Sequence, residues 1–168
     1  NSAAIDEALS GLRTVKNNMF RSIAMVKGKT DHKLLSSKND DSDLVLSKEV
    51  SDAISPAFEG KNVMTKVFNS SSENVFFMAA PIAGIDEAVI VCAVNPASFN
   101  KNIADDFLAD TRKDRYMFFD PQGTVIADND TGMILKRLND IPHGGRIMSA
   151  AEGSVVETLY EGRPGYGV

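Results

Sequence analysis

The sequence is poor in the residues that most often carry chemistry: one cysteine, two histidines and no tryptophan in 168 residues. A single cysteine excludes an internal disulfide framework. Cys92 sits in the apolar run Ala88-Val-Ile-Val-Cys-Ala-Val94, where a thiol packs as a small hydrophobe. His32 and His143 lie far from it in polar stretches, so no nucleophile–base pair is expected. Positive charge is also scarce, with 18 Lys and Arg against 23 Asp and Glu and a net charge of −5. A nucleic-acid-binding protein usually shows a basic face, so no nucleic-acid partner is expected. No glycine-rich phosphate loop follows a strand, and no His or Cys cluster has metal-ligand spacing. Asp120 with Asp128-Asn-Asp130 lacks the ligand spacing and closing Glu of a calcium loop. The expectation is a domain that is not an enzyme, with no catalytic residue, no metal and no cofactor.

No apolar run is long enough to span a bilayer, and the first residues do not read as a signal peptide. The chain opens inside an apparent helix and stops at Gly165-Tyr-Gly-Val168, which reads as the start of a strand. Either the protein is soluble or it is a piece of a larger membrane protein, and the two ends favour the piece. Its composition, 43% hydrophobic and 24% charged, is that of a globular chain with a packed core.

Residues 2–27 read as one long helix, because Ile5, Leu12, Met19 and Val26 recur every seven residues with Leu9, Val15 and Ile23 between them. Such a stripe suits either a helix lying on its own sheet or a dimer seam. Gly28-Lys-Thr-Asp31 ends it, and 36–43 reads as a solvated loop. A second helix is predicted over 44–55, capped by Ser42 or Asp43, with Leu46, Val50, Ala53 and Ile54 inward. The middle is β: Val63 to Phe68, Val75 to Ile82 and Ala88 to Asn95, the last two joined through Gly84-Ile-Asp-Glu87. Short connections predict an antiparallel sheet, and weak alternation in the last two strands predicts cover on both faces. Asn95-Pro96 then caps and opens a helix running to about Thr111.

Beyond it, Tyr116 to Phe119 and Thr124 to Ala127 are strands joined by Asp120-Pro121-Gln122-Gly123. In that turn Asp accepts backbone hydrogen bonds, Pro presets φ and Gly takes a positive φ. A short helix near 132–138, a loop at His143-Gly-Gly145, a strand over 153–160 and a turn at Gly162-Arg-Pro-Gly165 complete the chain.

The segment Tyr116-Met-Phe-Phe-Asp-Pro-Gln-Gly-Thr-Val-Ile-Ala127 resembles the first two strands of a Cache-type, PAS-like module. Phe77-Met-Ala-Ala-Pro-Ile82, followed by a turn and Ala88 to Val94, resembles the end of one, and Ala57-Phe-Glu-Gly60 the helix end before its third strand. The order resembles the junction of a double Cache ectodomain, loosely, over most of 1–160. The resemblance implies an α+β fold: an antiparallel PAS-like sheet flanked by helices, with a long N-terminal helix and two small lobes, the second partial. The expected division is 1–28 for the helix, 29–111 for a first lobe with its connecting helix, and 112–168 for an incomplete second lobe. No Asp-x-x-Gly hairpin precedes residue 57. The first lobe is therefore expected to be reduced, with helix in place of its first strands; alternatively all strands join one sheet.

The resemblance further implies the extracytoplasmic, periplasmic sensor domain of an inner-membrane receptor, reporting to a chemoreceptor, histidine kinase or cyclic-dinucleotide output. It implies a small-molecule ligand, homodimerisation through the N-terminal helix and membrane anchoring in the full-length protein. A ligand-free structural or dimerisation module of the same fold is the alternative. Without tryptophan, the Arg-x-x-Trp pocket motif of amino-acid-sensing double Cache domains is absent.

Candidate ligand contacts follow from strand periodicity. Met64, Lys66 and Phe68 share a face by period two, and a cation between apolar groups suits a small carboxylate. The competing arrangement turns Val63, Thr65 and Val67 inward and Lys66 to water. Phe76 and Met78 share a face of the next strand, and Tyr116 and Phe118 of another.

Overall fold

The computed structural model describes residues 7, 11, 19–29, 33–38, 47–69, 73–107, 116–142, 144–149, 156–160 and 163–167. Ten strands are placed: β1 Phe20–Lys27, β2 Lys33–Lys38, β3 Val63–Met64, β4 Phe68–Asn69, β5 Asn74–Pro81, β6 Ala88–Val94, β7 Met117–Phe119, β8 Val125–Asp128, β9 Val156–Tyr160 and β10 Arg163–Gly167. Three α-helices have bounds among the described residues: α1 Lys48–Ile54, α2 Pro96–Phe107 and α3 Gly144–Met148.

The main sheet runs β2-β1-β6-β5-β3, with β4 also pairing with β5, and every neighbouring pair is antiparallel. The two ends of the first half of the chain thus meet at the centre, where β1 lies against β6. This is a PAS-like sheet, and the chain is α+β as expected.

The largest difference from the sequence reading is β1. Residues 20–27 are a central strand, not the end of a helix, so the expected helix to residue 28 is corrected there. Of its earlier part, Glu7 and Gly11 have helical backbone, Met19 does not, and the rest lies outside the described residues. The physical reason is burial: Ser22 to Val26 are five successive buried positions. A strand covered on both faces has no alternation, and its apolar run imitates a helical stripe. Gly28, at φ 97°, ends the strand, and its N–H donates to the Glu87 carbonyl. The same correction supplies the missing first hairpin, because β1 pairs with β2. Ser36 to Lys38, expected in a loop, belong to β2, whose polar character suits a sheet edge.

One sheet face is covered by α1 and the 3-10 turn Ser55–Glu59 that follows it. Val50, Ile54 and Ala57 pack there with Ala24, Val26, Phe68, Val75, Phe77, Ala79, Val89, Val91 and Ala93. α1 starts at Ser47, whose hydroxyl accepts from the Val50 N–H, rather than at Ser42 or Asp43. Gly60, at φ 90°, closes the turn. Asn95 caps α2 as predicted, its Oδ1 accepting from Ala97 N and Ser98 N.

A second, smaller core joins Val125, Met133, Leu138 and Ile141 with Met117, Phe119 and Ile147. The helix expected near 132–138 is instead two 3-10 turns, Thr131–Met133 and Leu138–Asp140, parted by Leu135 at φ 70°. Gly144 and Gly145, expected in a loop, start α3; His143 lies outside the described residues. β9 and β10 pair as a hairpin.

Candidate functional site

The strand expected over 63–68 is interrupted, and the interruption decides where its side chains go. Before it, Val63 pairs with Ala79 and Met64 with Met78; after it, Phe68 pairs with Val75 and Asn69 with Asn74. Residues 65–67 therefore oppose only 76–77, which is a one-residue bulge. An extra residue transfers every later side chain to the other face. Met64, Lys66 and Phe68 consequently do not share a face. Met64 lies on the face of Phe76 and Met78, whereas Phe68 belongs to the core under α1, its ring edge-on to Phe77 at 5.7 Å.

Thr65 makes the bulge. Its N–H donates to the Phe77 carbonyl, and its buried hydroxyl accepts from Phe77 N at 2.9 Å, replacing a backbone carbonyl in the ladder. The same hydroxyl donates to the Lys66 carbonyl. Val67 N–H is turned out of the ladder and donates to Asp120 Oδ2 at 2.7 Å. Lys66 points toward α1: its Nζ lies 2.5 Å from Glu49 Oε1 and 5.2 Å from the centre of the Phe68 ring. The cation is thus half-buried, over an aromatic face and already matched with a carboxylate.

The opposite face carries a row of aligned side chains, Ile23, Cys92, Met78 and Met64, across four strands. Ile23 is fully buried and Cys92 half-buried, with its thiol pushed up to about 11 by burial. Met78 and Met64 are 38% and 37% exposed. The expected cover on both faces of the central strands therefore fails toward the β3 edge.

Along the same face Phe76 begins a chain of rings. Phe76 meets Phe99 of α2 edge-on at 5.4 Å, Phe99 meets Phe118 at 6.1 Å, and Phe118 lies 6.0 Å from Tyr116. Tyr116 and Phe118 thus share a face as predicted, and α2 connects them to Phe76. The Tyr116 hydroxyl donates to Asn100 Oδ1 at 3.0 Å, and the same oxygen accepts from Asp128 N at 2.9 Å. Desolvation, and then the Asp128 carboxylate, raise the Tyr116 pKa above its ordinary value. Phe99 and Asn100 were not among the sequence candidates. The spacing of Phe99, Ile103 and Phe107 marked an apolar face of α2, but nothing local marked Asn100 as buried.

The turn at Asp120 forms as its residues predict: Oδ1 accepts from Gln122 N and Thr124 N, and Gly123 adopts φ 77°. The side chains at 128–130 hold backbone. Asp128 Oδ1 accepts from Asp130 N, Asp130 Oδ1 from Gly132 N, and Asn129 Oδ1 from Tyr116 N. Among the described residues no three His, Cys, Asp or Glu side chains gather as a metal site, and no helix is long and apolar enough to cross a membrane.

The sequence matches no protein-family model and no curated protein. The fold does have counterparts among solved structures. The extracellular domain of mmHK1S-Z2, assigned as a histidine kinase, superposes with a TM-score of 0.54 and 12% identity, over 96% of this chain and 72% of that one. The ligand-binding domain of the Pseudomonas fluorescens chemoreceptor CtaA, in complex with L-leucine, gives 0.52 and 14%, over 98% and 68%. The same domain in complex with L-valine gives 0.51 and 14%, over 98% and 75%. These structures are sensor domains of membrane receptors, and this chain has their Cache-type, PAS-like fold.

Proposed function

We propose that this chain is the extracytoplasmic ligand-sensing domain of a bacterial transmembrane receptor and has no catalytic activity of its own. The observation that carries this reading is the PAS-like sheet, shared over nearly the whole chain with receptor sensor domains. The second small core is consistent with it, and the reading adds the N-terminal helix expected from the heptad stripe. That helix is the element that transmits the signal, and pairs two copies, in this reading. A ligand shifts its arrangement only by binding two arrangements unequally.

The ligand is a small carboxylate held at Lys66. The pairing of the Glu49 carboxylate with the Lys66 ammonium, which lies over the Phe68 ring, supports this choice. Binding is therefore an exchange in which the ligand displaces Glu49 and releases a contact on α1. Phe68 borders this exchange. Met64, Met78, Tyr116 and Phe118, on the other face, serve as contacts only for a ligand or segment lying against that face, whereas Phe76, expected as a contact, is fully buried core.

A thermal-shift screen of small carboxylates, amino acids among them, tests the reading, because a compound that binds the folded state raises the melting temperature. A hit is expected to weaken at least about tenfold in Lys66→Met and to tighten in Glu49→Gln, which frees the ammonium; a tenfold change is about 1.4 kcal/mol. Hits insensitive to both substitutions overturn the Lys66 assignment. A screen without any hit favours the ligand-free structural module.

A further inference from the structure

We infer that Asp120 and Thr65 are the positioning residues of the Lys66 site: together they fix the peptide that follows Lys66, so the second core sets how well the site takes a carboxylate. The ligand half of this inference rests on the reading of Lys66 proposed above. In an unbroken strand the pairs Val63–Ala79 and Met64–Met78 would continue to Lys66–Phe76, and Lys66 would stand on the Met64 and Met78 face, away from α1. The bulge turns it toward Glu49 and the Phe68 ring. A bulge leaves backbone groups of the extra residue outside the ladder, and buried ones need partners. Here side chains supply them on both sides of one peptide. The Thr65 hydroxyl donates to the Lys66 carbonyl at 2.9 Å, and Asp120 Oδ2 accepts from Val67 N at 2.7 Å. Both side chains belong to buried residues, 3% and 1% exposed.

Neither grip drifts with the strand. Asp120 Oδ1 is occupied by Gln122 N and Thr124 N of its own turn, and the Thr65 hydroxyl also accepts from Phe77 N of β5. A hydrogen bond to a carboxylate is about twice as strong as a neutral one. β3 and β4 lie at the edge of the sheet, where no further described strand pairs with 65–67. The bond to Asp120 is therefore the one that ties this segment to the second core. With the peptide held on both sides, the direction in which the Lys66 side chain leaves the backbone is fixed before any ligand arrives. A carboxylate then meets a preorganised ammonium, and binding loses less to ordering of the site.

Two readouts on the whole chain test this. Proton NMR reports the contact between the Lys66 ε-methylene and the Phe68 ring, with no ligand present. Acetate, the probe, is then titrated against the same methylene signal in Glu49→Gln, which frees the ammonium. The contact is expected in the parent and in Thr65→Ser, which keeps the hydroxyl. It is expected to be lost in Thr65→Val, which keeps the volume, and in Asp120→Asn. Asp120→Ser, whose shorter side chain still serves the turn but does not reach Val67, replaces Asp120→Asn if that variant does not fold. Acetate is expected to bind Thr65→Ser as it binds the parent, and to weaken at least about fivefold in Thr65→Val and in the Asp120 variant. A merely loosened fold would not separate serine from valine in this way. An unchanged contact in Thr65→Val or in the Asp120 variant, or a Thr65→Ser that behaves like Thr65→Val, overturns the inference. Loss of the contact as expected, with no acetate response in any of the proteins, upholds the positioning and overturns the Lys66 ligand instead.

Discussion

Replacing Asp120 with asparagine tests how the bulge in the sheet is tied to the second core. The carboxylate is 1% exposed and accepts three backbone N–H groups: Gln122 at 2.9 Å and Thr124 at 2.8 Å on one oxygen, Val67 at 2.7 Å on the other. Asparagine keeps an oxygen for the turn but sets its NH2 against Val67 N–H, donor to donor. Losing a hydrogen bond to a charged group costs about 1.5–3 kcal/mol. The two that remain fall to neutral strength, roughly half of the charged value. A loss of about 3 kcal/mol is expected. In a chain of 168 residues each kcal/mol moves the melting temperature by about 2–4 °C, so Asp120→Asn is expected to melt roughly 6–12 °C lower. Urea denaturation followed by circular dichroism measures the free energy, and amide hydrogen exchange locates it. Val67 is expected to lose protection, while Gln122 and Thr124 change less. A variant within about 0.5 kcal/mol of the parent, with Val67 exchange unchanged, refutes the tie; surface substitutions normally fall within that margin.

Two further outcomes follow from burial and close contact. Burial raises the Cys92 thiol from 9.0 to about 11, so the thiolate fraction near pH 8 is lower by about a hundredfold and alkylation is expected to be slower in proportion. The folded-state value lies above the unfolded one, so the stability that this group contributes is complete below pH 9 and is lost as pH rises toward 11. The pH profile of iodoacetamide labelling, bending near 11 rather than 9, checks this. A Cβ added at Gly144 would stand 1.8 Å from the Leu138 carbonyl oxygen, which is backbone and cannot swing aside. Gly144→Ala is expected to cost at least about 2 kcal/mol, as overpacking does, and to lower the thermal midpoint, with exchange increased first around Leu138 and Ile141.

Local chemistry was legible wherever a few adjacent residues fix a conformation. Asp120-Pro-Gln-Gly123 specified its own turn, Asn95-Pro96 its helix start, and the runs at 74–81 and 88–94 their strands, because each signal is completed by backbone groups a few positions away. β1 was not legible. A strand buried on both faces shows continuous apolarity, and a seven-residue recurrence within it is accidental. Reading it as helix also hid the first hairpin, and so made the first lobe look reduced.

The candidate site divides along the same line. Tyr116 and Phe118 share a face because period two is an intrinsic property of an extended chain. Period two failed at Met64, Lys66 and Phe68 because Thr65 replaces a ladder carbonyl with its hydroxyl, and Asp120, 53 residues further on than Val67, takes the displaced N–H. By itself, then, the sequence determined the α+β class, the turns and caps, and the scarcity of reactive side chains. Only the tertiary structure decided which faces those side chains occupy, that Lys66 is matched by Glu49, and that Asn100 is buried with its oxygen shared between Tyr116 and Asp128. Those outcomes depend on groups distant in the chain that meet only once the sheet has closed.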